Sequence, residues 1–455
     1  MMHHTSSLPY RPHVSGSQSS LEASHKHLKH RPSYSSAEPT PFNAALLPAL
    51  CQSAVATTSE RPCKRPVPSP SKTIAVVNSS GRQAASFIRV ASAVGYQVRA
   101  QLRNLDGIIA TEISCLPNVT VFVGDLYIQS SIDTCTSQKS DKPSSSHVNH
   151  CLIKELYRGA QLAFINTTFW GDEVAIGKAL ADAALDAGVD HYIYSSMPDH
   201  STYNSSWPSL PLWSSKAMVE EYIKSLPPLL ARTTFLYTGI YNNNFTSLPY
   251  PLFFMELQPD KSFKWTAPFH PDVPLPWLDA EHDVGPAVLQ IFKDGIGRWG
   301  HGERIALAYE VLSPRNACRA FSKGIGRPVH YHYHPKIEVR VKIPDGYRDQ
   351  LLALEQMYLL GAKDGKKQPL YFGAESLEKN CPREALEVWE GYRGLEEYAR
   401  EVFPLEEAAN GLSWMNEDSN LNLNTGYEIN RESEDSVVNQ GGEKTPARGE
   451  EGWLA

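Results

Sequence analysis

Lys216 and the turn at residues 78–84 are the two places where this 455-residue chain carries reactive groups in a readable pattern. A lysine so placed holds a cofactor hydroxyl or, with a lowered pKa, acts as a base. One helical turn before it no side chain can complete an acid–base pair. Four residues before Lys216 stands Leu212, which cannot transfer a proton, and Tyr203 is distant in sequence and a poor substitute. The pocket is therefore expected to lack a hydroxyl able to protonate a substrate. In the turn, Asn78, Ser79, Ser80, Gly81, Arg82, Gln83 and Ala84 follow an apolar run and pass straight into a helical pattern. Such a turn presents bare backbone amides at a helix N-terminus, where unpaired donors and the helix dipole both attract phosphate. It fills the place of a GxxGxxG fingerprint with only Gly81 retained; Asn78 tolerates left-handed backbone, and Ala84 is small enough for close helix packing. A structural strand-to-helix turn without a ligand is the plain alternative.

Other polar residues fall at the ends of apolar runs, the edge at which open parallel sheets bind ligands. After the second run come Arg103, Asn104 and Leu105, with no carboxylate to take a ribose 2′-hydroxyl. A guanidinium there suits a 2′-phosphate, so NADP is expected beside NAD, with a solvated surface arginine as the other reading. Asp125, followed by Leu126, ends the third run and is placed to meet an adenine edge, although Asp after Gly is also ordinary turn chemistry. Asn166, Thr167 and Thr168 end the fourth run. His330, His332 and His334 alternate along one apparent strand, but no carboxylate or cysteine joins them at ligand spacing, and no metal site is assigned.

Periodicity supplies the elements that must hold these groups. Apolar runs at 73–77, 97–102 and 119–123 alternate with helical patterns and predict βαβαβ. Runs at 162–165, 191–195 and 233–237 predict further parallel strands, with helices at 172–187 and 215–224. The fold class is α/β: a Rossmann-type doubly wound parallel sheet over residues 72–242, then a smaller α+β lobe over 243–416. In that lobe Asp283 is expected to cap a helix through Lys293, 330–343 to be extended, and 383–410 to be helical. Residues 134–149, rich in Ser, Lys and Asp, read as a surface insertion.

Composition bounds the rest. The arm 1–71 is rich in Ser, Pro and His and is expected to be disordered, as is 417–455, where nine Asp and Glu face three Lys and Arg and carry most of the net charge of −7. Seven cysteines lack CxxC spacing, so neither a disulfide frame nor a zinc site is expected, and a reducing compartment is. No apolar segment suggests a signal peptide or a membrane span. Arg61, Lys64, Arg65 and Lys72 have the composition of a nuclear-import signal and equally of a solvated linker, which leaves nucleus and cytoplasm as the expected locations. Without a basic recognition helix, direct nucleic-acid binding is not expected; the chain is taken to be a monomer.

Residues 72–89, 119–122, 162–168, 191–200, 238–251, 274–286 and 397–404 together resemble the NmrA-like family, atypical short-chain dehydrogenases that include fungal regulators of nitrogen metabolite repression. The similarity spans roughly residues 72–415. In short-chain dehydrogenases a Tyr four residues before the Lys donates the proton; here that place is Leu212. The resemblance implies a corepressor that binds NAD or NADP with the oxidised forms preferred, holds a GATA-type zinc-finger activator of nitrogen genes, and has no known turnover. It puts cofactor contacts at the residues from Asn78 to Gln83, at Arg103, Asn104 and Leu105, at Asn166, Thr167 and Thr168, at Lys216, and at Tyr241, Asn242, Asn243 and Asn244. Arg103 replaces a His of the family form, and the insertion lies beside Asp125 and Leu126. A basic finger calls for an acidic surface, and Trp389, Glu390, Glu396, Glu397 and Glu401 offer carboxylates beside an aromatic anchor. The same charges equally suit the solvated face of a docked helix. An NAD(P)H-dependent reductase of the isoflavone-reductase type, which keeps this lysine without the tyrosine, is the rival that Lys216 does not separate.

Overall fold

The apolar runs become short strands buried on both faces, and the amphipathic stretches between them become the helices that cover the sheet. The computed structural model describes residues 70–127, 148–169, 171–363 and 368–412; the arm 1–69, most of the insertion and the tail from 413 lie outside the described residues. In chain order come β1 (Thr73–Val76), α1 (Arg82–Val94), β2 (Gln97–Leu102), α2 (Ile108–Cys115), β3 (Val119–Val123), α3 (His150–Tyr157), β4 (Leu162–Ile165), α4 (Glu173–Asp186), β5 (His191–Ser196), α5 (Pro211–Lys224), α6 (Pro227–Leu230) and β6 (Thr233–Thr238). The second half adds β7 (Ile240–Tyr241), β8 (Met255–Leu257), β9 (Phe263–Ala267), β10 (Leu275–Leu278), α7 (Ala280–Asp294), α8 (Ile296–Trp299), β11 (Glu303–Leu307), β12 (Glu310–Leu312), α9 (Pro314–Ile325) and β13 (Val329–Tyr333). Five helices end it: α10 (Asp345–Lys363), α11 (Glu375–Asn380), α12 (Arg383–Val388), α13 (Leu395–Glu401) and α14 (Phe403–Ala409).

Seven strands pair in parallel in the order β3-β2-β1-β4-β5-β6-β11, a doubly wound Rossmann-type sheet. Alternation along β1 sends Ile74 and Val76 to one buried cluster and Ala75 and Val77 to the other, so each face carries its own core. Two three-stranded sheets, β12-β10-β7 and β13-β9-β8, stand beside it. The described residues belong to one compact unit, and the chain crosses the division expected at 242/243. β11 pairs with β6, and α7 lies against α1 so closely that a Cβ on Gly285 would sit 2.4 Å from the Ser86 carbonyl oxygen.

Several expectations change. Asp279, not Asp283, caps α7: its carboxylate accepts from the Glu281 and His282 amides, while Asp283, one turn in, accepts from the Asp279 amide at 3.0 Å. Of residues 330–343 only those to Tyr333 form a strand, because the paired β9 ends at Ala267 and Pro335 brings no N–H. The helical pattern over 383–410 is three helices, interrupted by Gly391 and Gly394 and restarted at Pro404 in the first turn of α14. At the end of the insertion Val148 is buried and bridges Tyr127, and Asn149 caps α3 through the Leu152 amide. Cys151 is disulfide-bonded, which the scattered cysteine spacing did not signal, whereas Cys115, Cys318 and Cys381 are free thiols. Among the described residues no helix is long and apolar enough to cross a membrane.

Candidate functional site: a cleft at the sheet's switch point

Strand order reverses between β1 and β4, and the turn after β1 shares a cleft there with the segment after β4. Asn78 has φ +56°, the left-handed backbone that its place in the fingerprint asks for. Gln101 holds the turn: its side-chain Oε1 accepts from the Asn78 amide at 2.9 Å and its carbonyl from the Ser79 amide at 3.0 Å. The same buried side chain donates to the Gly124 carbonyl at 2.9 Å, tying the turn after β1 to the turn after β3. Gly81 begins α1 without a side-chain cap, so the first amides of α1 have no acceptor from their own N-cap. Gln83 donates to the Tyr241 hydroxyl at 2.5 Å, while its buried Oε1 has no partner. The Arg82 guanidinium is engaged elsewhere, pairing with Glu281 of α7 and, at 3.5 Å, with Glu406 of α14.

Lys216 reaches the cleft from α5 and is fully engaged. Its Nζ lies 3.0 Å from Glu173 Oε1, 2.5 Å from the Thr167 carbonyl and 3.4 Å from Asn166 Oδ1. Glu173, at the first residue of α4, also accepts from the Thr167 hydroxyl at 2.8 Å and from the Ser215 hydroxyl. One turn before Lys216, Leu212 lines the same cleft and its amide donates to Gln350 of α10 at 3.0 Å. The cleft measures about 1120 Å³ with its open mouth included, and a recess of about 390 Å³ continues it past Asn78, Asn166, Thr167 and Thr168 to Arg103, Asp125 and Leu126. The whole is elongated, polar along one wall and apolar at the Leu212 end, a shape for a long ligand with anionic groups at its middle.

Not every expected residue reaches it. Asn78, Gly81, Arg82, Gln83, Asn166, Thr167, Thr168, Lys216, Tyr241 and Asn244 line the cleft, and Arg103, Asp125 and Leu126 line the recess. Ser79 is buried and bonds the Val76 carbonyl at 3.3 Å, and Ser80 stays in the turn. Asn104 and Leu105 are exposed and line neither space. Asn242 is buried off the wall, and Asn243 accepts from the Ala280 amide at 2.9 Å, fixing the start of α7. Asp125 accepts from the Tyr127 amide at 3.2 Å, so its turn role and its place in the recess coexist.

Sequence reasoning missed Gln101, Glu173 and the α10 wall of Tyr347, Gln350 and Leu354, for which only the polar Gln inside an apolar run and the acid one residue after the Asp172 cap gave any signal. It also expected no useful hydroxyl, yet Tyr241, Tyr250 and Tyr347 line the cleft. Burial pushes the Tyr347 phenol well up, and burial raises Tyr241 too, against the opposing pull of Thr238, Gln83 and Arg82.

The expected acidic surface is split between the turn after α12, which carries Trp389 and Glu390, and helix α13. Trp389 is half-buried against the core, while Glu390 is exposed and lines a shallow depression with Arg383, Leu386 and Glu387. Glu396 pairs with Lys323 and Arg400, both at 3.8 Å, and Glu401 with Arg400 at 3.7 Å; Glu397 lies beside them on α13. Among the described residues no group of three or more metal-ligating side chains exists.

Residues 70–399 match the NmrA-like family. The nitrogen metabolite repression protein nmr of Neurospora crassa is 65% identical over 364 residues, 79% of this chain and 74% of that protein. A solved structure of NmrA, a negative transcriptional regulator, in complex with NAD is 54% identical with a TM-score of 0.66, covering 76% of this chain and 99% of that one. NmrA in complex with NADP gives the same 54% identity, TM-score of 0.66 and coverage of 76% and 99%. On sequence and fold alike, the chain belongs to the NmrA-like family.

Proposed function

We propose that this protein is a negative regulator of nitrogen-metabolism genes that binds NAD or NADP, favours the oxidised forms, and acts by holding a GATA-type zinc-finger activator without turning the cofactor over. One observation carries the cofactor half: at the neck of the cleft an uncapped helix offers donors without an acceptor, and Gln83 offers a buried acceptor without a donor. Unpaired buried groups are costly, and a diphosphate flanked by hydroxyls or an amide answers both kinds. On this reading the residues from Asn78 to Gln83 hold the pyrophosphate, Arg103 and Asp125 the adenosine end, Asn166 to Thr168 and Lys216 the second ribose, and Tyr241 and Asn244 the nicotinamide end. Asn104, Leu105, Asn242 and Asn243 support these from outside the wall. The names of the relatives, a nitrogen metabolite repression protein and a negative transcriptional regulator seen with NAD and NADP, support the regulatory role and the ligand.

A bound nicotinamide supplies a hydride acceptor or donor, but the chain's own groups offer no matched acid. Leu212 stands one turn from Lys216, the buried phenols hold their protons more tightly than usual, and Glu173 neutralises the ammonium that would lower a phenol's pKa. Residence in nucleus and cytoplasm follows from the role. The partner half rests on charge: a DNA-binding finger is basic, and the carboxylates of Glu390 after α12 and of Glu396, Glu397 and Glu401 on α13 would meet it, with Trp389 as the aromatic anchor.

The test uses the full chain, immobilised, with an isolated GATA-type finger in solution, with and without NAD. The finger is retained, and Glu390→Lys with Glu397→Lys weakens retention by about tenfold or more. A finger that passes through unretained, together with steady NADPH consumption on a carbonyl or alkene compound, would replace this reading with the reductase.

A further inference from the structure

A second groove, separate from the dinucleotide cleft, opens on the outer face of the β8-β9-β13 sheet. Strand alternation creates it. Phe263, Trp265 and Ala267 point into the core, which leaves Lys264 and Thr266 outward. The parallel register sets His330 beside Lys264 and His332 beside Thr266, and the antiparallel β8 sets Glu256 beside Lys264. The chain after β13 then folds over this face, so that His334, Lys336, Glu338 and Arg340 complete a groove of about 720 Å³, open mouth included.

The charges in it do not balance. Glu256 is taken by Lys264 at 2.6 Å and by Arg340 at 3.2 Å, and Glu338 by Arg340 at 2.7 Å. Among the described residues no carboxylate pairs with Lys336. His332 and His334 stack with ring centroids 6.4 Å apart and 21° between planes, so both rings present their edges on the same side of the groove as Lys336. The His334 Nδ1 lies 2.9 Å from the Lys336 carbonyl, which leaves its Nε2, the His332 ring, the Lys336 ammonium and the Thr266 hydroxyl facing one space without an acceptor among the described residues. The wall is also shared: Tyr250 and Leu252 line both this groove and the dinucleotide cleft, and Leu252 is held at φ +67°, a left-handed backbone rare for a leucine.

We propose that this groove is a binding site for a small multivalent anion of the phosphate class, held by Lys336, His332 and His334 with Thr266. It stands apart from the cofactor reading and does not depend on it.

The full chain, saturated with NAD so that the cradle at α1 is occupied, is titrated calorimetrically with inorganic phosphate and separately with glycerol phosphate, which distinguishes the free ion from a phosphomonoester. Binding is expected at least with one of them. Replacement of His332 on β13 and of His334 and Lys336 in the segment after it together by alanine weakens it by about tenfold or more and leaves NAD affinity unchanged. Equal phosphate affinity in this variant and the native chain overturns the proposal. So does the absence of phosphate binding by the native chain up to about 10 mM, where even weak sites fill.

Discussion

Glu173→Ala isolates the claim that the cleft's lysine is electrostatically spent. The ion pair is almost dry, with side-chain exposures of 11% for Lys216 and 4% for Glu173, and the partners stand 3.0 Å apart. Removing one partner of such a pair strands the other charge and costs about 3–5 kcal/mol. The remaining losses are small, because the Thr167 hydroxyl keeps the Tyr194 hydroxyl at 3.1 Å and the Ser215 hydroxyl keeps the Leu212 carbonyl at 3.3 Å. The expected total of about 3–5 kcal/mol is a large share of the roughly 5–15 kcal/mol that holds a domain folded. Urea unfolding followed by tryptophan fluorescence reads it as a lower midpoint at unchanged slope. The double variant Glu173→Ala with Lys216→Met removes the stranded charge and is expected to be more stable than Glu173→Ala alone. A loss below about 1 kcal/mol for Glu173→Ala, or a double variant no more stable than the single, would refute the reasoning and return Lys216 to service as a free ammonium.

Three further outcomes follow from the same geometry. Gly81→Asp sets a carboxylate at the uncapped start of α1, and calorimetry should find dinucleotide binding abolished while unfolding stability is retained; undiminished binding removes the cradle from the account. His191, buried with Nε2 2.8 Å from the Thr234 hydroxyl, has its pKa pushed down to about 4, by burial first and by Lys72 second. The unfolded histidine titrates near 6.5, so its contribution is full above about pH 6.5 and is lost as pH falls toward 4, up to about 3 kcal/mol. His191→Phe should flatten that part of the stability–pH curve, and an unchanged curve would count against the assignment. Arg82→Ala should loosen α14 by breaking the tie to Glu281 and Glu406, seen as faster hydrogen exchange at Phe403–Ala409; protected amides there would show that the guanidinium is not what holds the helix.

The strands at 73–76 and 162–165 could be read from sequence because each is a short apolar run buried on both faces and needs no tertiary information, whereas β11, Glu303–Leu307, starts with two charged residues and went unread. The cradle was readable for a related reason, since a turn between strand and helix is a local object and Asn78 and Gly81 signal it by residue type. What closes the cleft was not. Tyr347, Gln350 and Leu354 come from a helix more than a hundred residues beyond Lys216, and only tertiary packing brings α10 onto α5. Glu173 is one acid among fifty Asp and Glu until the fold places it on the ammonium. Asn242 and Asn243 show the opposite error: they are adjacent in sequence to cleft residues, but the tight turn after β7 points them into the body of the protein. Helix ends suffered in the same way, as at α7, where two acids four residues apart both fit a cap and only the backbone decides for Asp279.

On the proposed function the cleft holds a dinucleotide for recognition and not for reduction. Parallel calorimetric titration of the full chain with NAD and with NADH tests it most directly. NAD is expected to bind at least about tenfold more tightly than NADH. Equal or tighter binding of NADH, as a working reductase requires, would contradict it.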